Sequence, residues 1–126
     1  PAMRLSIRSH LIELTDDLRE TVERRIYFAL SRFGPRIERA TVTLDDISGS
    51  RGGVVQRCRI VIKPQRGDEL TVTATDADLH AAISFAADRA GRVVQRELER
   101  RRTDRRQVPR TPEAPAEPQD GTVSAD

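Results

Sequence analysis

Four arginines toward the C-terminal end, Arg89, Arg92, Arg96 and Arg100, follow one another at intervals of three, four and four residues. On a helix turning about 100° per residue this spacing stacks them into one stripe, within about a quarter of the circumference. A stripe of guanidinium groups suits a row of anions, because each planar fork grips a phosphate with two charge-assisted hydrogen bonds. Other residue types that perform chemistry are sparse. His10 and His80 have no cysteine or carboxylate at metal-ligand spacing, and the single Cys58 has no partner for a zinc site or an internal disulfide. Cys58 falls on the apolar parity of a strand, where it reads as a small buried hydrophobe rather than a reactive thiol. Gly49-Ser50-Arg51-Gly52-Gly53 is glycine-rich but lacks the lysine and following helix of a phosphate loop, so it reads as a hairpin connection. Paired acids at Asp16/Asp17 and Asp45/Asp46 are explained by helix capping and turns rather than acid–base work. The expectation is therefore not an enzyme: no catalytic residue, no metal, no cofactor and no small-molecule substrate.

The stripe needs a helix, and the helix needs a scaffold. Met3, Leu5 and Ile7 alternate with Arg4, Ser6 and Arg8, the period of a strand with one buried and one wet face. After a loop from His10 to Leu14, Thr15 is placed to cap a helix whose first turn holds Asp16 and Asp17, where the helix dipole favours negative charge. That helix repeats Leu18, Val22, Ile26, Ala29, Leu30 and Phe33 until Gly34-Pro35 ends it. Ala40, Val42 and Leu44 mark a second strand and Ile47 to Gly53 a loop. Cys58, Ile60 and Ile62 mark a third strand, Pro64 to Asp68 a turn, and Leu70, Val72 and Ala74 a fourth. Thr75 or Asp76 is predicted to cap a last helix with Leu79, Ala82, Ile83, Ala86, Ala90, Val93, Val94 and Leu98 on its apolar side, fraying between Arg102 and Arg106.

This order predicts an α+β fold: a two-layer β-α-β-β-β-α domain with a four-stranded mixed sheet and both helices on one face. The first helix makes a right-handed crossover that pairs its flanking strands parallel, and the later strands join as antiparallel hairpins. The open face carries Arg4, Arg8, Arg57, Arg59 and Lys63 among threonines. The domain spans residues 1–105. Residues 106–126, with Pro109, Pro112, Pro115 and Pro118, scattered acids and no periodicity, are predicted to be a disordered acidic tail.

Composition fits one small domain of 126 residues, with 37% hydrophobic and 33% charged residues. No apolar run approaches a bilayer span and no leader pattern opens the chain, so the expected location is cytoplasmic, in keeping with one unpaired cysteine. Four aromatic residues, Tyr27, Phe28, Phe33 and Phe85, argue against a site built on stacked rings. The net charge of +2 hides an asymmetry: residues 1–88 balance, residues 89–110 hold nine arginines against three acids, and residues 111–126 hold four acids and no base. On the first helix Arg25 and Arg32, seven apart, also line up, and two helices side by side are expected to merge both sets into one basic surface suited to RNA. The same residues also fit a solvated face laced by the i, i+4 pairs Asp88–Arg92 and Glu97–Arg101.

The run Asp78-Leu79-His80-Ala81-Ala82-Ile83-Ser84-Phe85-Ala86-Ala87-Asp88-Arg89-Ala90-Gly91-Arg92-Val93-Val94-Gln95-Arg96 resembles the signature helix of the ribosome hibernation promoting factors, also called ribosome-associated inhibitor A or sigma-54 modulation proteins. Met3-Arg4-Leu5-Ser6-Ile7, Leu14-Thr15 with Leu18-Arg19, Val22 and Arg25-Ile26, and Leu30-Ser31-Arg32-Phe33 resemble that family's first strand and helix. The resemblance is to a short form without a second domain, with departures at His80, Gly91 and Val93. It implies a ribosome-associated translation inhibitor that binds the small ribosomal subunit in the mRNA and tRNA channel. It also implies that Arg89, Arg92, Arg96 and Arg25 face ribosomal RNA, with no membrane partner; a homodimer is not demanded. The competing expectation is a protein-interaction module of the sigma-factor modulation type with no ribosome binding.

Overall fold

A computed structural model describes residues 3–49 and 52–107, with side chains as far as residue 103. The described residues up to 96 belong to one compact unit and those from 97 to a second. Strand β1 (Arg4–His10) leads into helix α1 (Asp16–Leu30), a tight 3₁₀ segment (Ser31–Arg36), β2 (Ile37–Asp46), β3 (Gln56–Pro64), β4 (Leu70–Asp76) and α2 (Leu79–Gln107). The strands lie in chain order, β1-β2-β3-β4. β1 pairs parallel with β2, while β2–β3 and β3–β4 are antiparallel, so the predicted mixed sheet and its pairings are those observed. Among the described residues no helix is long and apolar enough to cross a membrane.

Period-2 patterning assigns the two faces of the sheet. Ala40, Val42, Leu44, Cys58, Ile60 and Ile62 are fully buried, and Val72 and Ala74 nearly so, all on the face that the helices cover. Against them α1 buries Leu18, Val22, Ile26 and Leu30, at the three- and four-residue spacing that keeps one face inward. Thr15 caps α1 as expected, its Oγ1 accepting from the Leu18 amide at 3.1 Å.

Three boundaries differ from expectation. α1 stops at Leu30 because the chain tightens into the 3₁₀ segment, which buries Phe33 and holds Gly34 at φ 56°, a conformation that glycine adopts without a Cβ clash. Neither Thr75 nor Asp76 caps α2, because β4 runs on through both. Asp76 Oδ1 instead accepts from the Asp78 amide at 2.9 Å, and Asp78 Oδ1 accepts from the His80 amide at 3.0 Å, which makes Asp78 the cap. His10 closes β1 rather than opening a loop, opposite Asp45. The expected acidic tail lies outside the described residues.

Candidate nucleic-acid interface

Small residues set the orientation of α2. Ala82, Ile83, Ala86, Ala87, Ala90, Gly91 and Val94 are buried, while Phe85, Arg89, Arg92 and Arg96 are exposed. At about 100° per residue Arg92 falls about 160° from Ala90, close to the crest of the helix, whereas Arg89 is about 100° round, on a flank. Arg96 falls about 120° from Ala90, so the stripe occupies the arc between flank and crest. Ala87 and Gly91 extend the buried arc on the opposite flank and turn the arginines further outward.

Each arginine has a distinct environment. Arg89 Nη1 donates to the Thr73 carbonyl on β4, so this guanidinium satisfies an outward-facing acceptor on an edge strand. Arg92 and Arg96 have no hydrogen-bond or ion-pair partner among the described residues, and the i, i+4 pair Asp88–Arg92 does not form. Arg25 on α1 is likewise exposed and unpartnered. Arg32 is partly committed: its Nη2 reaches the Gly91 carbonyl at 3.5 Å and its guanidinium lies 4.7 Å from the centre of the Phe33 ring.

Arg25 and Ala29 share one flank of α1, Arg32 follows in the 3₁₀ segment, and Ala29 brings that flank against Gly91 of α2. A β-carbon at Gly91 would stand 3.2 Å from the Ala29 carbonyl oxygen. Gly91 is about 200° round from Arg89, so α1 meets the flank of α2 opposite Arg89. Arg32 thus reaches α2 on one side of the crest that carries Arg92, and Arg89 lies on the other side.

Counting aromatic residues concealed two that belong to this surface. Phe28 is 81% exposed and Phe85 52% exposed. Each follows a buried isoleucine, Ile26 or Ile83, by two residues, and so points about 200° away from it. That phase is readable in sequence, although scarcity had argued against stacking. Phe85 precedes Arg89 by four residues and Phe28 follows Arg25 by three, which sets an aromatic face near a guanidinium on each helix. Such pairs offer phosphate contacts together with a surface on which an unpaired base stacks.

In the second unit, Arg100 grips both carboxylate oxygens of Glu97 at 2.8 and 2.7 Å, and Arg101 Nε reaches one of them at 3.2 Å. These hydrogen bonds, that from Arg100 foremost, hold the Glu97 carboxyl below the usual carboxylate range. The expected Glu97–Arg101 pair thus forms, and Arg100 already has an anion.

The remaining reactive types are accounted for locally. Asp46 is a turn residue, accepting from the Ser48 amide at 3.0 Å, and this turn lowers its pKa. Asp45 is not: it is 7% exposed and pairs across the strands with Arg57, at 2.8 Å to Nη2, with His10 at 3.9 Å. Burial pushes the Cys58 thiol from its ordinary 9.0 up to about 12. In the native protein Cys58 should therefore react with a disulfide reagent at neutral pH at least roughly a thousandfold more slowly than after denaturation, since the thiolate is the nucleophile. A stopped-flow thiol titration with and without denaturant checks this, and rapid native labelling would contradict the burial.

The chain matches the family model described as sigma 54 modulation protein / S30EA ribosomal protein over residues 5–102. Among solved structures, the N-terminal domain of Protein Y from Thermus thermophilus is similar at 30% identity and a TM-score of 0.63, over 75% of this chain and 98% of that one. A ribosomal subunit interface protein from Coxiella burnetii shares the fold at 12% identity and a TM-score of 0.62, over 77% of this chain and 99% of that one. No curated protein matches. The family match runs from within β1 to within α2 and takes in the surface described above: the chain belongs to the sigma 54 modulation protein / S30EA ribosomal protein family.

Proposed function

We propose that this protein is a ribosome-associated translation inhibitor, a hibernation factor that binds the small ribosomal subunit at the mRNA and tRNA channel. The helix layer is the ribosome-facing side, with Arg25, Arg92 and Arg96 making charge-assisted contacts to ribosomal RNA phosphates. Arg89 sits at its margin against β4, and Arg32 at the seam between the helices. The observation that carries the reading is the coincidence of family membership with three exposed guanidinium groups that have no internal anion. A structural arginine is normally tied to a carboxylate or carbonyl, as Arg57, Arg89 and Arg100 are here. Inhibition follows from occlusion: a compact two-layer domain held in a channel by several phosphate contacts stands where message and tRNA must pass.

The test is co-sedimentation of the full chain with ribosomes from the same organism through sucrose gradients at low and high salt. Migration with the small subunit or the whole ribosome, lost as salt rises, is the expected result. Absence from every ribosomal fraction at low salt would overturn the reading. That absence is the outcome the protein-interaction alternative requires, since it has no ribosome binding.

A further inference from the structure

The side of the sheet turned away from the helices is a second basic surface. Strand register brings Arg4, Arg39 and Lys63 into one row across β1, β2 and β3, and Arg8 and Arg59 into another, with Arg57 opposite Asp45 beyond it. The intervening positions are mostly hydroxyl residues, among them Ser6, Thr41, Thr43 and Thr71, with Val61 between Arg59 and Lys63. Three of the six cations have acids nearby: Arg57 on Asp45 at 2.8 Å, Arg4 near Glu38 at 3.8 Å and Arg39 near Glu69 at 4.0 Å. Arg8, Arg59 and Lys63 have no anion within reach among the described residues. With neighbouring strands about 4.8 Å apart and about 3.3 Å per residue along each, Arg8 and Arg59 stand roughly 10 Å apart and Arg59 and Lys63 roughly 13 Å apart.

Like charges on one sheet face repel, and nothing in the fold requires them. Threonine, which fills the alternate sites, packs a strand at least as well as arginine. An external polyanion relieves that repulsion. No phenylalanine, tyrosine or tryptophan lies on this face, and its single ring is the His10 imidazole at one end, beside Asp45, so stacking on bases contributes little. Guanidinium forks and hydroxyl groups instead match phosphate oxygens and ribose hydroxyls. A duplex is rigid and convex and would touch little of a twisted sheet face, whereas a flexible strand can follow cations spread over two rows. We infer that the open sheet face binds the sugar–phosphate backbone of single-stranded RNA without sequence preference, through Arg8, Arg59 and Lys63.

This site is separate from the helix layer and does not depend on ribosome binding there. The experiment is fluorescence anisotropy of the full chain with a labelled oligouridylate long enough to cross all four strands, over a salt series. Three proteins are compared: the native chain, R8Q/R59Q/K63Q, and R25Q/R92Q/R96Q. Neutralising the sheet cations should weaken binding at low salt at least tenfold and flatten the slope of log K against log salt by about 2, at about 0.7 per single-strand phosphate contact. The helix variant should keep that sheet-dependent part. Ultraviolet crosslinks from the oligouridylate to the native chain should fall on β1 and β3 peptides, a readout that needs no variant. An unchanged affinity and slope in the sheet variant, or crosslinks confined to the helices, would overturn the inference. So would displacement of the oligouridylate by polyglutamate or by an RNA hairpin as effectively as by unlabelled oligouridylate, since the face would then select for charge or shape alone.

Discussion

Charge reversal at Arg25, Arg92 and Arg96 together should lower ribosome affinity at least about a thousandfold while shifting the melting temperature by only a few degrees. A hydrogen bond to a charged group contributes about 1.5–3 kcal/mol, so three lost contacts amount to at least about 4 kcal/mol, and the introduced carboxylates add repulsion from phosphate. Stability is spared because all three side chains are exposed and none has an internal partner to lose. Surface changes of that kind stay within about 0.5 kcal/mol each. Gradient co-sedimentation and a thermal melt on the same preparation check both halves. A triple variant that still co-sediments like the native protein would remove the helix layer from the interface. Arg89 is left out of the set deliberately, because its bond to the Thr73 carbonyl couples any binding loss to damage at the β4 edge.

The second large effect concerns Gly91. Glycine within a helix is about 1 kcal/mol less favourable than alanine, so replacement by alanine ought to stabilise α2. The new β-carbon, however, would stand 3.2 Å from the Ala29 carbonyl oxygen, a backbone atom with little freedom to move away. The two effects oppose each other, and Gly91→Ala should leave stability within about 1 kcal/mol of native. Gly91→Leu has no such balance: its branched side chain must force α1 and α2 apart, at a cost of about 1–3 kcal/mol and occasionally more. For a domain of this size that corresponds to a fall of roughly 4–8 °C in melting temperature per kcal/mol. Chemical denaturation of native, alanine and leucine proteins checks the order. A leucine variant as stable as native would mean that the seam is looser than the Ala29 approach indicates.

Much of the architecture was legible because its signals are periodic. Alternation at Ala40, Val42 and Leu44, and again at Cys58, Ile60 and Ile62, fixed which face is buried, and the helix between the first two strands required a parallel pair. What escaped was decided by backbone groups brought close from elsewhere in the chain. Arg89 looks like any member of a stripe until β4 supplies the Thr73 carbonyl, and Arg32 until α2 supplies the Gly91 carbonyl. Asp45 reads as a turn residue beside Asp46, and only the β2–β3 register reveals Arg57 opposite it. The α2 cap shifted by two residues because Asp76 and Asp78 are both capable of capping, and strand pairing claims the first. Phe28 and Phe85 were within reach from helical phase alone.

The order of the strands also bears on how the chain is made. Since β1, β2, β3 and β4 lie side by side in the order of synthesis, each strand that leaves the ribosomal exit tunnel adds to the edge formed just before it. No pairing has to wait for a later segment to be threaded between two earlier ones, and α2 closes the apolar face last. The molecule is thus suited to fold progressively during its own translation.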